Sequence, residues 1–217
     1  MVRPPRSKPA YRPFLLGQRV LLREVRASDL TPRYYQWMND PEVTQYTESR
    51  FYPYSRQRLT AFLARAQRDS TSVFLAIIER AGRRHLGNIK LGPIQWIHRL
   101  APVNLIIGDK ARWGRGFATE AIGLLCRYAF DTLQLHKLTA WCYADNVGSR
   151  KAFLKAGFVE EARLRAQYFV NGAYTDAICL ATFSPHMGLH QPATPARRTR
   201  VPAVATRSAI SLRRTAR

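Results

Sequence analysis

Residues 112 to 121 read RWGRGFATEA, a run in which Gly114 and Gly116 flank Arg115 and helix formers follow at once. Glycines at such a turn let backbone N–H groups converge on a ligand with no Cβ in the way, and the helix that begins there adds roughly half a positive charge at its N-terminus. Lys110, Arg112 and Arg115 add charge nearby. The chemistry implied is anion binding, with phosphate the natural guest. Which phosphate is constrained by what is missing. A dinucleotide fingerprint needs a third glycine where Thr119 stands, and a P-loop needs a Gly-Lys-Ser/Thr run that this chain lacks. Read alone, the turn is weak evidence and reads first as a plain strand-to-helix connection.

A second cluster lies about thirty residues on: NVGS at 146–149 and AGF at 156–158, on either side of a short helical run. Together, WGRGFA, the following helix, the strand KLTAWCYAD and this Asn-x-x-Ser…Gly-Phe helix resemble the GCN5-related N-acetyltransferase (GNAT) superfamily. NDPEV, WGRGFATEA and NVGSRKAF further resemble its RimJ/RimL-type branch. The resemblance spans residues 17–184. It implies an α/β (α+β) acyl-CoA N-acyltransferase fold: a mixed, mainly antiparallel sheet of six to seven strands with helices on both faces. It also implies acetyl-CoA as co-substrate and no metal. The pyrophosphate would lie on Arg112, Trp113, Gly114, Arg115, Gly116, Phe117, Ala118 and Thr119, and the pantetheine on the strand edge at Ile106, Ile107 and Gly108. Asn146 would face the thioester end. Ala111 departs from the Gln or Arg of the family pattern, so the role of that side chain is either absent or passed to Arg112.

Acetyl transfer needs a neutral amine, a donor for the developing oxyanion and a proton for the departing thiolate. The N–H near Ile107 or Gly108 is the oxyanion candidate. Many members of the superfamily use a tyrosine as acid, but its place here is Phe153, which leaves Ser149, or a water it holds, to serve the thiolate. For the base, Asp109, Glu120, Asp176 and Tyr168 all stand near the expected site and none is singled out. An enzyme without a strong base suits an amine of low pKa: an α-amine near ~7.7–8.0 is partly neutral already, whereas a lysine amine near ~10.4 is not. The acceptors expected are therefore a protein N-terminal α-amine, as in ribosomal-protein acetylation, or an amino-sugar nucleotide. The competing class is a basic RNA- or ribosome-binding module that kept the fold and lost the chemistry.

Several elements must position these groups. RVLLREV (19–25) reads as a first strand, and ASDLTPRYYQWMND (27–40) as a helix with a Ser28/Asp29 cap signal. ESRFYPYS reads as a loop; the longer run QYTESRFYPYS (45–55), rich in tyrosine and arginine, either borders an acceptor pocket or is simply a loop. Residues 55–69 read as a helix capped by Ser55 with Leu59, Phe62, Leu63 and Ala66 on one face. Strands at 71–80, 85–97 and 101–109 should form an antiparallel meander. A helix at 117–134, a strand at 136–145, a helix at 146–158 closed by Gly157, and a hairpin turning at Asn171-Gly172 complete the order. Trp37, Trp96 and Trp141 read as core or acceptor-cleft aromatics, and His98 and His136 as turn or surface residues.

Nearly half of the 217 residues are apolar, enough to bury a core. The formal net charge of +21 is concentrated at the ends: Arg3, Arg6, Lys8 and Arg12 lie within residues 1–13, and seven arginines with no acid lie within 185–217. Setting those eleven aside, the 35 basic residues fall to 24 against 14 acidic, so the body keeps a surplus of about ten. The expected organisation is a basic arm at 1–16, the transferase domain at 17–184 and a disordered arginine-rich tail at 185–217. The tails either contact RNA or the ribosome or are merely solvated, since 29 Arg against 6 Lys also marks an arginine-heavy chain as a whole. Three scattered cysteines without a CxxC pair and the absence of an apolar span point to a reducing cytoplasm.

Overall fold

A computed structural model describes residues 13–186. The expected arm lies mostly, and the expected tail almost wholly, outside the described residues. The first strand pair comes earlier than the sequence suggested: β1 (Leu15–Leu16) turns back antiparallel onto β2 (Val20–Glu24). A 3-10 turn at Ala27–Asp29 takes up the Ser28/Asp29 signal, because Asp29 binds Arg23 and the Arg26 N–H instead of capping a helix. The helix itself starts later. In α1 (Pro32–Asn39), Thr31 accepts from the Tyr34 N–H and Pro32 supplies a fixed φ at the first position. A short α2 (Pro41–Thr44) is capped by Asp40. A 3-10 turn at Glu48–Phe51 leads into α3 (Arg56–Arg68), whose cap is Ser55 as expected.

β3 (Val73–Glu79), β4 (His85–Leu91) and β5 (Leu100–Ile107) form the antiparallel meander. α4 (Phe117–Arg127) ends in a π-helical turn at Tyr128–Thr132, and β6 (Lys137–Tyr143) returns parallel to β5. α5 (Val147–Lys155) is followed by Gly157 at φ +93°, a conformation that favours glycine. β7 (Val159–Val170) and β8 (Ala173–Phe183) join through Asn171 and Gly172, both at positive φ. The sheet has eight strands in the order β1-β2-β3-β4-β5-β6-β8-β7, one or two more than expected because β1 adds an edge.

Alternation along the strands divides the core between two faces. Val20, Leu22, Leu75, Ile77, Leu138, Ala140 and Cys142 pack with α4 and α5 side chains such as Ile122, Leu125 and Phe153. Leu21, Ala76 and Ile78 pack with Leu63 of α3 on the other face. There Trp37 of α1 is buried beside Tyr34, Val43 and Leu59. The helices of that second face cover the β2–β5 half, so the outward residues of β6 and β7, among them Trp141 and Leu164, remain exposed. Among the described residues no helix is long and apolar enough to cross a membrane, and no group of His, Cys, Asp and Glu could hold a metal ion.

Candidate active site

β5 and β6 are paired only at one end, Leu100–Pro102 against Lys137–Thr139. Beyond that point β5 bonds only β4, and β6 bonds only β8. The strands therefore part, and the gap opens into a cleft of about 900 Å³. One side of the cleft is built by α4 and α5. The other is built by Tyr46 and Glu48, from the segment after α2, together with Tyr143 and Tyr168.

The first side carries the glycine turn. Gly114 (φ +70°) and Gly116 (φ +81°) both adopt left-handed backbone, and Gly116 is the N-cap of α4. The first helical N–H to reach an i−4 carbonyl is that of Glu120, bonded to Gly116 O at 3.1 Å. Those of Phe117, Ala118 and Thr119 precede it at the cleft wall, without such partners. This is a cradle for a diphosphate. It is braced from behind by Arg19, which donates from Nη1 to Arg115 O (2.9 Å) and from Nε to Glu120 Oε2 (3.2 Å) while its backbone N–H donates to Glu120 Oε1 (2.8 Å).

The nearby cations are less free than their spacing suggested. Arg112 lines the cleft but binds Glu79 through two bonds of 3.0 and 3.1 Å, so it does not stand in for the long polar side chain that Ala111 lacks. Lys110 is held by Asp40 and Glu42, and Arg115 lies outside the cleft. The cations that line it with no ion pair among the described residues are Lys151 and Lys155. Their i, i+4 spacing on α5 was the signal available in the sequence.

At the edge of β5, strand parity decides which groups face the gap. The N–H groups of Gly108 and Asp109 both donate to Leu86 O, at 2.9 and 3.1 Å. Gly108 N–H is thus engaged with β4, and the alternation of a strand turns Ile107 N–H the opposite way, toward the cleft. Ile107 O accepts from the Trp113 indole at 2.7 Å, which fixes that ring on the cleft wall. Gly108 has a packing reason for being glycine: a Cβ there would stand 2.1 Å from Trp37 Cδ2. Asp109 also lies outside the cleft, buried, with Oδ2 2.5 Å from Arg33 and 3.6 Å from Arg84.

Asn146 accepts from the Ser149 N–H at 3.1 Å, so its carbonyl oxygen caps α5 and its amide N–H₂ is left for a guest. Ser149 Oγ lies 3.3 Å from Cys142 Sγ, inside the cleft. Burial pushes the Cys142 thiol up, keeping it protonated beside that hydroxyl. Phe153 stands where a tyrosine acid would be and packs edge-on against Phe158. The remaining base candidates are committed elsewhere: Glu120 to Arg19, and Asp176 to Arg163 and the Ala166 N–H.

On the far side, Tyr168 lines the cleft and stacks on Tyr143 at 4.1 Å. Burial, and next the neighbouring Tyr143, push its hydroxyl up, which suits a proton donor and not a base. Tyr143 Oη donates to Glu48 Oε1 at 3.0 Å. Glu48 falls in the 45–55 segment, one reading of which is an acceptor-pocket border, but nothing in the sequence singles it out there. Its partner lies 95 residues away on β6, and neither residue belongs to a local motif.

The resulting site has a diphosphate cradle, a strand edge for an extended amide chain, a hydroxyl near the gap and a carboxylate opposite. Comparison with known proteins agrees. The sequence model described as "Acetyltransferase (GNAT) domain" matches residues 19–159. The chain is 35% identical over 133 residues to "Probable N-acetyltransferase YjcK" of Bacillus subtilis, covering 60% of this chain and 71% of that protein. It is 34% identical over 100 residues to the spermidine N(1)-acetyltransferase of Vibrio cholerae, covering 46% of this chain and 57% of that one. The crystal structure of spermidine N-acetyltransferase from Vibrio cholerae in complex with CoA and spermine superposes with a TM-score of 0.68 at 25% identity, over 76% of this chain and 96% of that one. With the family model covering most of the chain and the cleft matching its chemistry, the protein belongs to the GNAT superfamily and is an acetyl-CoA-dependent N-acetyltransferase.

Proposed function

We propose that the acceptor is a primary amine on a cationic molecule, an aliphatic polyamine or a peptide N-terminus, and that its amine meets the thioester in the gap between β5 and β6. The observation that carries this reading is a carboxylate on the far wall: Glu48 lines the cleft there with no ion pair among the described residues, in a chain of net charge +21, and Asp145, also without one, lines the cleft just before α5. A nucleotide diphosphate sugar would meet those carboxylates with like charge. Similarity to spermidine acetyltransferases supports the polyamine. A 30% identity over 92 residues to "Putative ribosomal N-acetyltransferase YdaF" of Bacillus subtilis, 42% of this chain and 50% of that protein, supports the peptide.

In this reading the amine lone pair attacks the thioester carbon, and Ile107 N–H stabilises the oxyanion. The amine proton passes to Glu48. The C–S bond then breaks, and Ser149 or a water it holds protonates the departing thiolate. Gly114, Gly116, Phe117, Ala118 and Thr119 hold the diphosphate through their backbone, Trp113 and Ile106 flank the pantetheine, and Asn146 orients it. Asp109, Gly108 and Arg115 lie outside the cleft and take no step, and Arg112 is held in its pair with Glu79. The preference for a low-pKa amine loses its ground once Glu48 is available as base. The transferase unit is residues 17–184 with β1 added at its start.

The test is thiol release from acetyl-CoA with three acceptors: spermidine, the tripeptide Ala-Gly-Gly and an amino-sugar nucleotide. The cationic amines should turn over at least tenfold faster than the nucleotide. The reverse order overturns the reading.

A further inference from the structure

One side chain outside the cleft binds three segments that together make its far wall. Arg50 Nη1 donates to Thr47 O at 3.0 Å and to Tyr143 Oη at 2.8 Å, and Nη2 donates to Phe169 O at 2.8 Å. Its guanidinium also lies 4.2 Å from the Phe51 ring centroid and 5.1 Å from that of Tyr143. Thr47 belongs to the segment carrying Tyr46 and Glu48, Tyr143 to β6, and Phe169 to β7 beside Tyr168. Arg50 itself does not line the cleft.

The bonds have a direction. A guanidinium can only donate, so Tyr143 Oη must accept from Arg50 and has its single proton left for Glu48 Oε1. Arg50 therefore sets the orientation of the Tyr143 hydroxyl, which in turn engages one oxygen of Glu48, a residue that lines the cleft. Each link is worth more in series than alone, because donation into Tyr143 polarises its own O–H. Tyr143 is also clamped through its ring, stacked on Tyr168 and tilted against Tyr46 at 5.6 Å.

We propose that Arg50 is a positioning residue that assembles the acceptor wall, holding Glu48 through Tyr143 and tying the 45–52 segment to the outer hairpin. The proposal rests on the far wall being the acceptor side, as argued above. A lysine cannot replace Arg50, since a point charge on a flexible stem does not span three acceptors in a fixed fork.

The experiment compares Arg50→Lys, Tyr143→Phe and the double variant, using whichever of spermidine or Ala-Gly-Gly the wild-type protein acetylates faster. Each single variant should lower kcat/KM for the amine about tenfold, as expected for removal of a charge-assisted bond that holds the proton acceptor. Affinity for acetyl-CoA should stay within twofold. The double variant should be no worse than the poorer single one, because both act in one chain. Losses that multiply, or an equal loss of acetyl-CoA affinity, overturn the proposal. A second readout needs no acceptor: amide hydrogen exchange in residues 45–52 should rise at least tenfold in Arg50→Lys, while exchange in α4 is unchanged. An unchanged 45–52 segment overturns the proposal even if no amine is turned over. Failure of the acceptor reading alone would appear differently, as a wild-type preference for the amino-sugar nucleotide with the exchange result intact.

Discussion

At the scale of single residues, the site separates groups that hold from groups that react. Ser149 is the hydroxyl at the gap, so Ser149→Ala should lower kcat about 10²-fold with little change in the amine KM, measured by steady-state thiol release. Gly116 holds. Its φ of +81° is a left-handed backbone that disfavours a side chain, and a Cβ there, 2.9 Å from Arg19 Nη2, would push that guanidinium aside. Left-handed backbone costs an L-residue about 1–2 kcal/mol. Gly116→Val should therefore weaken acetyl-CoA binding about tenfold or more by calorimetry. These two residues were legible because their evidence is local: a glycine beside a helix start, and a serine three positions after an asparagine cap. Gly108 and Asp109 were not. Two consecutive N–H groups converge on Leu86 O, and which groups of a strand face the gap follows from that irregularity, which no pattern of residue types announces. Arg50, Tyr143 and Glu48 were not singled out, although one reading of the 45–55 segment is a pocket border, because their bonds span 93 to 119 residues of sequence.

At the scale of elements, the diphosphate cradle depends on how α4 is anchored to β2. Burial would raise the Glu120 carboxyl, but N–H donors from Arg19 and Val20 and the Arg19 guanidinium outweigh it and hold the group below its usual value. A carboxyl lowered on folding contributes stability that is complete above its unfolded pKa of about 4.3 and is lost as pH falls through the lower folded value. Glu120→Gln should thus cost about 1–3 kcal/mol in urea unfolding at pH 7. The gap between variant and wild type should close below pH 4. On α5, Lys151 and Lys155 give the donor side its charge. Lys151→Glu should raise the acetyl-CoA Kd several-fold, and added salt should shrink that difference. The element order was readable from periodicity and turn residues. The edge strand β1 was not, because two residues carry no period.

At the scale of the molecule, in a chain of +21, the two carboxylates without an ion pair among the described residues, Glu48 and Asp145, both line the cleft between β5 and β6. Charge of positive sign elsewhere should speed the approach of acetyl-CoA, so kcat/KM for acetyl-CoA should fall with ionic strength more steeply than that for a cationic amine. Residues 188–217 hold seven arginines, and a chain ending at residue 187 should keep its rate on spermidine or Ala-Gly-Gly.

The sheet that is zipped at one end and open at the other gives each reactant its own door. Cys142 turns toward α5 and Tyr143, the next residue, toward Glu48, so adjacent side chains of β6 look out on opposite faces. On the proposed reading the donor enters by one face and the amine by the other, so neither has to leave before the other arrives. No acetylated form of the protein is needed as a carrier between them. Double-reciprocal plots of rate against amine at several acetyl-CoA concentrations should intersect, and parallel lines would mean that the two doors are never open together.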